Sequence, residues 1–241
     1  MFWIYAWALT SGFMIFFAMF YSNLIVPLFN KQQPLEDGEL KNAISNFASK
    51  VGFKLDNVYR IDGSKRSTKA NAYFTGLGSK KRIVLYDTLI NELSTEEIVA
   101  VLAHEIGHYK RKHTLQGIIL SVIQMGLTFY LISLFLSLPA LSVALGVGQP
   151  SFHIGIIAFG ILYSPFSLII GLLMNILSRK NEYQADAFTR EFFNAEHLVN
   201  ALKKLSVNNL SNLTPHPLYV FFHYSHPTLL QRIQAVRIHN N

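Results

Sequence analysis

The 241-residue sequence contains no cysteine. Disulfides, thiolate metal sites and a cysteine nucleophile are therefore excluded, and any metal must be held by histidine, aspartate or glutamate. Charge is also scarce, with 15% of residues Asp, Glu, Lys or Arg, where a soluble domain carries about 25%. The scarcity is uneven. Residues 1–30 and 113–178 hold no charged side chain, and all 21 basic and 14 acidic residues fall in 31–112 and 179–241. Internal repeats and low-complexity tracts are lacking too.

What fills the uncharged stretches is apolar and long. Phe2 to Phe29, Leu115 to Leu138 and Phe152 to Leu177 each have the length of a membrane span, which needs roughly 20 apolar residues. The first has no basic residues ahead of it and is too long for a signal peptide. The 137–153 loop lacks Lys and Arg, whereas Lys31, Lys110, Arg111, Lys112, Arg179 and Lys180 flank the other span ends. The positive-inside rule then puts both charged stretches on the cytosolic side. This gives four parts: a first span (1–30), a cytosolic part (31–112), two spans with a short loop (113–178) and a second cytosolic part (179–241). The net charge of +7 reads as a topology signal, since the basic residues are scattered and match no nucleic-acid-binding motif. The expected partners are the lipid bilayer and a peptide or protein substrate, with no nucleic acid.

Local patterns fill in the cytosolic parts. Lys31 to Gly38 reads as a polar loop, Glu39 to Val51 as an amphipathic helix and Val58 to Ile61 as a short strand. Ala70 to Phe74 and Arg82 to Tyr86 are β-rich runs joined through Gly76 and Gly78, which predicts a hairpin. Ser94-Thr95-Glu96-Glu97 matches a capping box opening a helix to about Lys112. Further helices are expected over about Glu182–Phe193, following a third span that ends near Arg179, and over Glu196–Leu205 and Pro227–His239.

The capped helix carries His104-Glu105-Ile106-Gly107-His108, an H-E-x-x-H pattern. A spacing of four puts both imidazoles on one helix face, one turn apart, where they can share a metal. Their nitrogen ligands suit zinc, one ion per chain, with Glu105 beside them as the base that takes a proton from water. The alternative is a pair of structural histidines in an amphipathic helix. The third ligand is expected to be Glu182, which two spans can return to the first site. Asp186 shares its helix face and is placed to accept a hydrogen bond from a ligand imidazole. A solvated pair of carboxylates is the other reading of 182 and 186. His113 is a weaker alternative ligand, or a plain interfacial histidine.

These residues resemble the integral-membrane zinc proteases that include the type I CAAX prenyl endopeptidases and the bacterial heat-shock membrane proteases. Beyond His104–His108 and Glu182…Asp186, the resemblance rests on Pro27–Lys31, Pro34–Leu40, Asp62–Ser67, Asn71–Phe74 and His223–Pro227, and it covers nearly the whole chain. It implies a mainly α, integral-membrane fold with a zincin-like helical core and a small hairpin or sheet. It also implies that Asn71, Ala72 and Tyr73 form an edge strand pairing with substrate backbone, and that His226 supports a developing oxyanion. A turn histidine before Pro227 is the alternative for His226. Arg232 resembles a family arginine only loosely, with a surface arginine as the alternative.

The expected activity is zinc-dependent endopeptidase cleavage, of a prenylated C-terminus or, alternatively, of damaged membrane protein. A non-catalytic scaffold retaining zinc is the contrasting class. The membrane is a bacterial inner membrane or the endoplasmic reticulum. Prenyl endopeptidases of this type carry further spans upstream of the segment matching Phe2–Phe29, so the chain is expected to be either a fragment or a short form with an open site.

Overall fold

A computed structural model describes residues 2–65, 72–75, 81–149 and 151–238. Helix dominates, and the first element follows from the first uncharged stretch. Helix α1 (Phe2–Phe20) runs through a π-helical turn (Tyr21–Ile25) into the short α2 (Val26–Phe29). Pro27 lies just beyond that turn, where the missing N–H and the bulk of its ring favour a wider backbone path. The other candidate spans are α6 (His113–Leu136) and the apolar part of α8 (Phe152–Phe192). Three helices are thus long and apolar enough to cross a membrane among the described residues. Trp7 Nε1 donates to Val122 O across the α1–α6 contact at 2.9 Å. A Cβ on Gly126 would lie 3.0 Å from the same indole, so the glycine permits this approach. Thr128 and Tyr163 hydroxyls join α6 to α8 at 2.8 Å. A short helix, α7 (Pro139–Ala144), occupies the 137–153 loop.

The charged stretches build a separate apolar core. Ile44, Phe47 and Ala48 of α3 (Glu39–Lys50) pack with Ile98, Leu102 and Ile106 of α5 (Thr95–Lys110). Strands β2 (Leu55–Ile61) and β4 (Lys81–Tyr86) contribute Val58, Ile83 and Leu85, and α9 (Ala195–Asn208) contributes Ala201. The sheet order is β1-β2-β4-β3, with β1 (Gln32–Pro34) and β3 (Ala72–Thr75) at the edges. The expected hairpin is present as the antiparallel β3–β4 pair, Tyr73 opposite Val84. Parallel pairing of β2 with β4 makes the sheet mixed.

Two expectations about local structure need correction. The polar loop at Lys31–Gly38 contains β1, because Gln32, Gln33 and Pro34 pair antiparallel with Ile61, Arg60 and Tyr59. Strand formation there comes from a partner supplied by the fold, since the segment has no alternating pattern of its own. The third span and the Glu182 helix are one 41-residue helix, α8. Ser178, Arg179, Lys180 and Asn181 include no glycine or proline to end it. The change at residue 178 is therefore one of composition along an unbroken helix. Like α7, helices α4 (Asp87–Glu92) and α10 (Pro217–His223) lie where the sequence pattern suggests none, and α11 (Leu229–Ile238) lies within Pro227–His239.

Candidate metal centre

The capping box at Ser94 sets where α5 begins. Ser94 Oγ accepts from Glu97 N at 3.3 Å, and Glu97 Oε2 accepts from Ser94 N at 2.8 Å. Lys204 Nζ of α9 also donates to Glu97 Oε2, at 2.6 Å. The helix then carries His104 and His108 to its buried side, against α8. Gly107 makes that contact close, since a Cβ there would sit 3.0 Å from Phe188 Cβ and 3.1 Å from Ala185 Cα. The approach brings Glu182 of α8 to both histidines.

The Nε2 atoms of His104 and His108 are 3.1 Å apart. Glu182 Oε2 lies 3.4 Å from His104 Nε2, and Glu182 Oε1 lies 3.3 Å from His108 Nε2. Ligands held at about 2.0–2.1 Å in a tetrahedron stand about 3.3 Å from one another. The three side chains are therefore spaced as zinc ligands are, and they are the one such group among the described residues. Glu182 is 5% exposed, and its Oε2 accepts no hydrogen bond among the described residues. An ionised, buried oxygen with an unused lone pair beside two imidazoles fits a cation.

The remote side of His104 is tightly held. Asp186 Oδ1 stands 2.8 Å from His104 Nδ1, and Asp186 is 2% exposed. Arg232 of α11 grips the same carboxylate in a fork, Nε to Oδ2 at 2.9 Å and Nη2 to Oδ1 at 2.6 Å. Its Nη1 is 3.3 Å from Glu182 Oε2. Arg232 is only 9% exposed, so the surface-arginine alternative is wrong. Its charge is offset by two carboxylates, which is what lets it be buried. Burial opposes charge on His104, but the neighbouring Asp186 and Glu182 carboxylates outweigh it and hold the imidazole above its ordinary pKa. Burial likewise opposes charge on Glu182 and Asp186. For Glu182 the facing imidazoles of His104 and His108 and the Arg232 charge prevail, for Asp186 the hydrogen bonds from His104 and Arg232, and both carboxyls lie below the usual carboxylate range. The site thus keeps its acids ionised.

The other side of the centre is open. Glu105, His108, Glu182 and His226 line one cleft of about 430 Å³, whose walls continue along α6 and α8 through Gly117, Leu120, Met174 and Leu177. His226 is exposed at this opening. Its Nε2 is 3.4 Å from Glu182 Oε1, and its Nδ1 is 3.0 Å from Ser225 Oγ. Ala72 and Tyr73 lie in the edge strand β3, which packs beside α5. Asn71 lies outside the described residues.

His113 occupies neither of its expected roles. It is 8% exposed, with Nδ1 3.0 Å from His108 Nδ1 and Nε2 2.9 Å from Gln184 Oε1. Neither nitrogen faces the point where the ligands converge. On a continuous helix a residue five places on would be turned about 140° from His108. Lys112, at φ 59°, breaks the helix between α5 and α6 and turns His113 back. Gln184 and Gly107 likewise carry no functional signal in the sequence alone.

The model of peptidase family M48 matches residues 34–239. CAAX prenyl protease 1 of Saccharomyces cerevisiae is 44% identical to this chain, over 88% of it and 50% of the relative. The CAAX prenyl protease 1 homolog of Homo sapiens is 36% identical, over 98% of this chain and 58% of the relative. The crystal structure of S. mikatae Ste24p superposes with a TM-score of 0.88 at 40% identity, covering 98% of this chain and 59% of that one. The chain spans about half the length of the curated relatives it matches. With the H-E-x-x-H helix, the Glu182 helix and the edge strand all inside the matched residues, the chain belongs to peptidase family M48.

Proposed function

We propose that this chain is a membrane-embedded zinc endopeptidase of the CAAX prenyl type. The observation that carries the reading is the convergence of His104, His108 and Glu182 beside a cleft that Glu105 also lines. When bound, zinc supplies Lewis-acid polarisation of a scissile carbonyl and acidifies a water to a pKa of about 7. Glu105 takes a proton from the attacking water and returns it to the leaving amine. His226, at the cleft mouth, donates to the oxygen on which charge develops. Asp186 accepts from His104 Nδ1 and keeps its Nε2 lone pair directed into the site. The edge strand carrying Ala72 and Tyr73 pairs with substrate main chain, giving affinity without requiring one sequence, and Asn71, next to it in sequence, is assigned the same role.

The substrate is a peptide or protein, and the apolar continuation of the cleft favours one with a lipidated C-terminus. The names of the relatives point to the same class. Basic residues flank the spans and are absent from the 137–153 loop, which supports a cytosolic active site. Farnesylated and unprenylated peptides, offered to the purified chain with and without zinc, provide the test. Zinc-dependent cleavage favouring the farnesylated peptide is expected, and cleavage indifferent to prenylation would remove the CAAX assignment. Topology has its own test. Ser137 and Ser211 are both exposed, and Ser137→Cys and Ser211→Cys should label from opposite faces of the membrane. Labelling from one face would sink the three-span arrangement.

A further inference from the structure

His104 and His108 both turn Nε2 toward the metal position, so each must carry its remaining proton on Nδ1. Asp186 accepts that proton for His104. His108 has a different neighbour, the neutral-capable ring of His113, with the two Nδ1 atoms 3.0 Å apart and the rings edge-on at 77°. The other nitrogen of His113 faces Gln184 Oε1 at 2.9 Å. An amide oxygen only accepts, so His113 Nε2 carries the hydrogen, and its Nδ1 then presents a lone pair. That lone pair is where the His108 Nδ1–H points. The chain of bonds has one sense: His108 Nδ1–H to His113 Nδ1, and His113 Nε2–H to Gln184 Oε1.

We propose that His113, oriented by Gln184, is a positioning residue that locks His108 in the tautomer and rotamer required for metal ligation. The inference rests on the zinc centre proposed above. It assigns a use to a buried histidine whose nitrogens both face away from the metal. The helix break at Lys112 gains a purpose too, because it puts the first residue of α6 behind the last ligand of α5. Helix α8 then serves both ligand imidazoles, through Asp186 directly for His104 and through Gln184 and His113 for His108.

The test is zinc affinity, measured on the purified chain in detergent by competition with a chelator of known affinity. Four variants are compared with the unmodified chain: His113→Ala, Gln184→Leu, the double variant and Gln184→Glu. Loss of such a supporting partner typically costs 10- to 100-fold in affinity, and about 10-fold is expected for His113→Ala and for Gln184→Leu. Because Gln184 acts through His113, the double variant should bind zinc about as well as His113→Ala alone. Gln184→Glu keeps the acceptor and should retain affinity. If His113→Ala does not fold, the contrast of Gln184→Leu with Gln184→Glu decides by itself. Unchanged affinity in Gln184→Leu, or losses that simply add in the double variant, would overturn the proposal. An unmodified chain that binds no zinc is a separate outcome, which removes the zinc centre and this inference with it.

Discussion

The two histidines of the centre are identical in sequence terms and opposite in environment. His104 is buried, and its remote nitrogen meets a carboxylate that is itself locked by an arginine. His108 is half-buried, lines the cleft, and meets a neutral histidine–glutamine chain. Helical periodicity places the pair on one face, but it does not distinguish them. The distinction comes from α8 and α11 closing over one imidazole and α6 approaching the other. A carboxylate partner pushes more electron density onto a ligand than a neutral one does, so His104 should be the stronger anchor. His108 lines the open cleft.

The severest way to break the comparison is to remove a ligand. His104→Ala, His108→Ala and Glu182→Ala should each lose most bound zinc, measured by metal analysis of the purified variants. Full zinc retention in both His108→Ala and Glu182→Ala would sink the ligand assignment. Next comes Glu105→Gln, which leaves both histidines in place. Zinc should stay, while turnover of a peptide the unmodified chain demonstrably cuts should fall at least about 10²-fold. Cutting at the full rate would refute Glu105 as the base, even with zinc bound.

Arg232→Met tests the charged side more sharply. It leaves Asp186 and Glu182 buried without their cation, and should destabilise the zinc-free chain by roughly 3–5 kcal/mol, measured as a shift in denaturation. An unchanged transition would mean the fork contributes nothing net. Asp186→Asn should then cost zinc affinity toward the 100-fold end of the 10- to 100-fold range, above the loss expected from His113→Ala. Equal losses would show that the charge of the partner is not what separates the two histidines.

The smallest effect belongs to Gly107→Ala. Its Cβ would crowd Phe188 and Ala185, and such overpacking costs roughly 1–3 kcal/mol. If α8 yields, Glu182 moves from the histidines and zinc affinity drops several-fold, about 1 kcal/mol. Affinity equal to that of the unmodified chain would show that α8 accommodates the methyl without moving its ligand.

Much of this site is legible along the chain because its parts are local. His104 and His108 sit four apart on a helix whose start is fixed by Ser94 and Glu97, and that relation needs no tertiary partner. Glu182 and Asp186 share a face for the same reason. The uncharged stretches read directly as spans, since length and apolarity are sufficient to identify them. Local pattern misleads where a segment takes its structure from a distant partner. Gln32–Pro34 became a strand by pairing with Tyr59–Ile61. Arg232 has the composition of a surface residue and is buried because α11 packs over Asp186. His113 follows Lys110-Arg111-Lys112 at the start of a span, the setting of an interfacial histidine, and the break at Lys112 that turns it toward His108 is visible only in space.

The sequence by itself determined the three apolar helices, the absence of thiol chemistry, the paired histidines with their neighbouring glutamate, and the distant Glu182…Asp186 helix. Each is a matter of composition or of periodicity over one or two turns. Only the tertiary structure decided how α8 passes within contact of Gly107, which carboxylate oxygen faces which imidazole, and that Arg232 closes the charged side. It also decided that His113 stands behind His108. Those facts depend on helices separated by dozens of residues meeting within a few ångströms, and no local pattern encodes such a meeting.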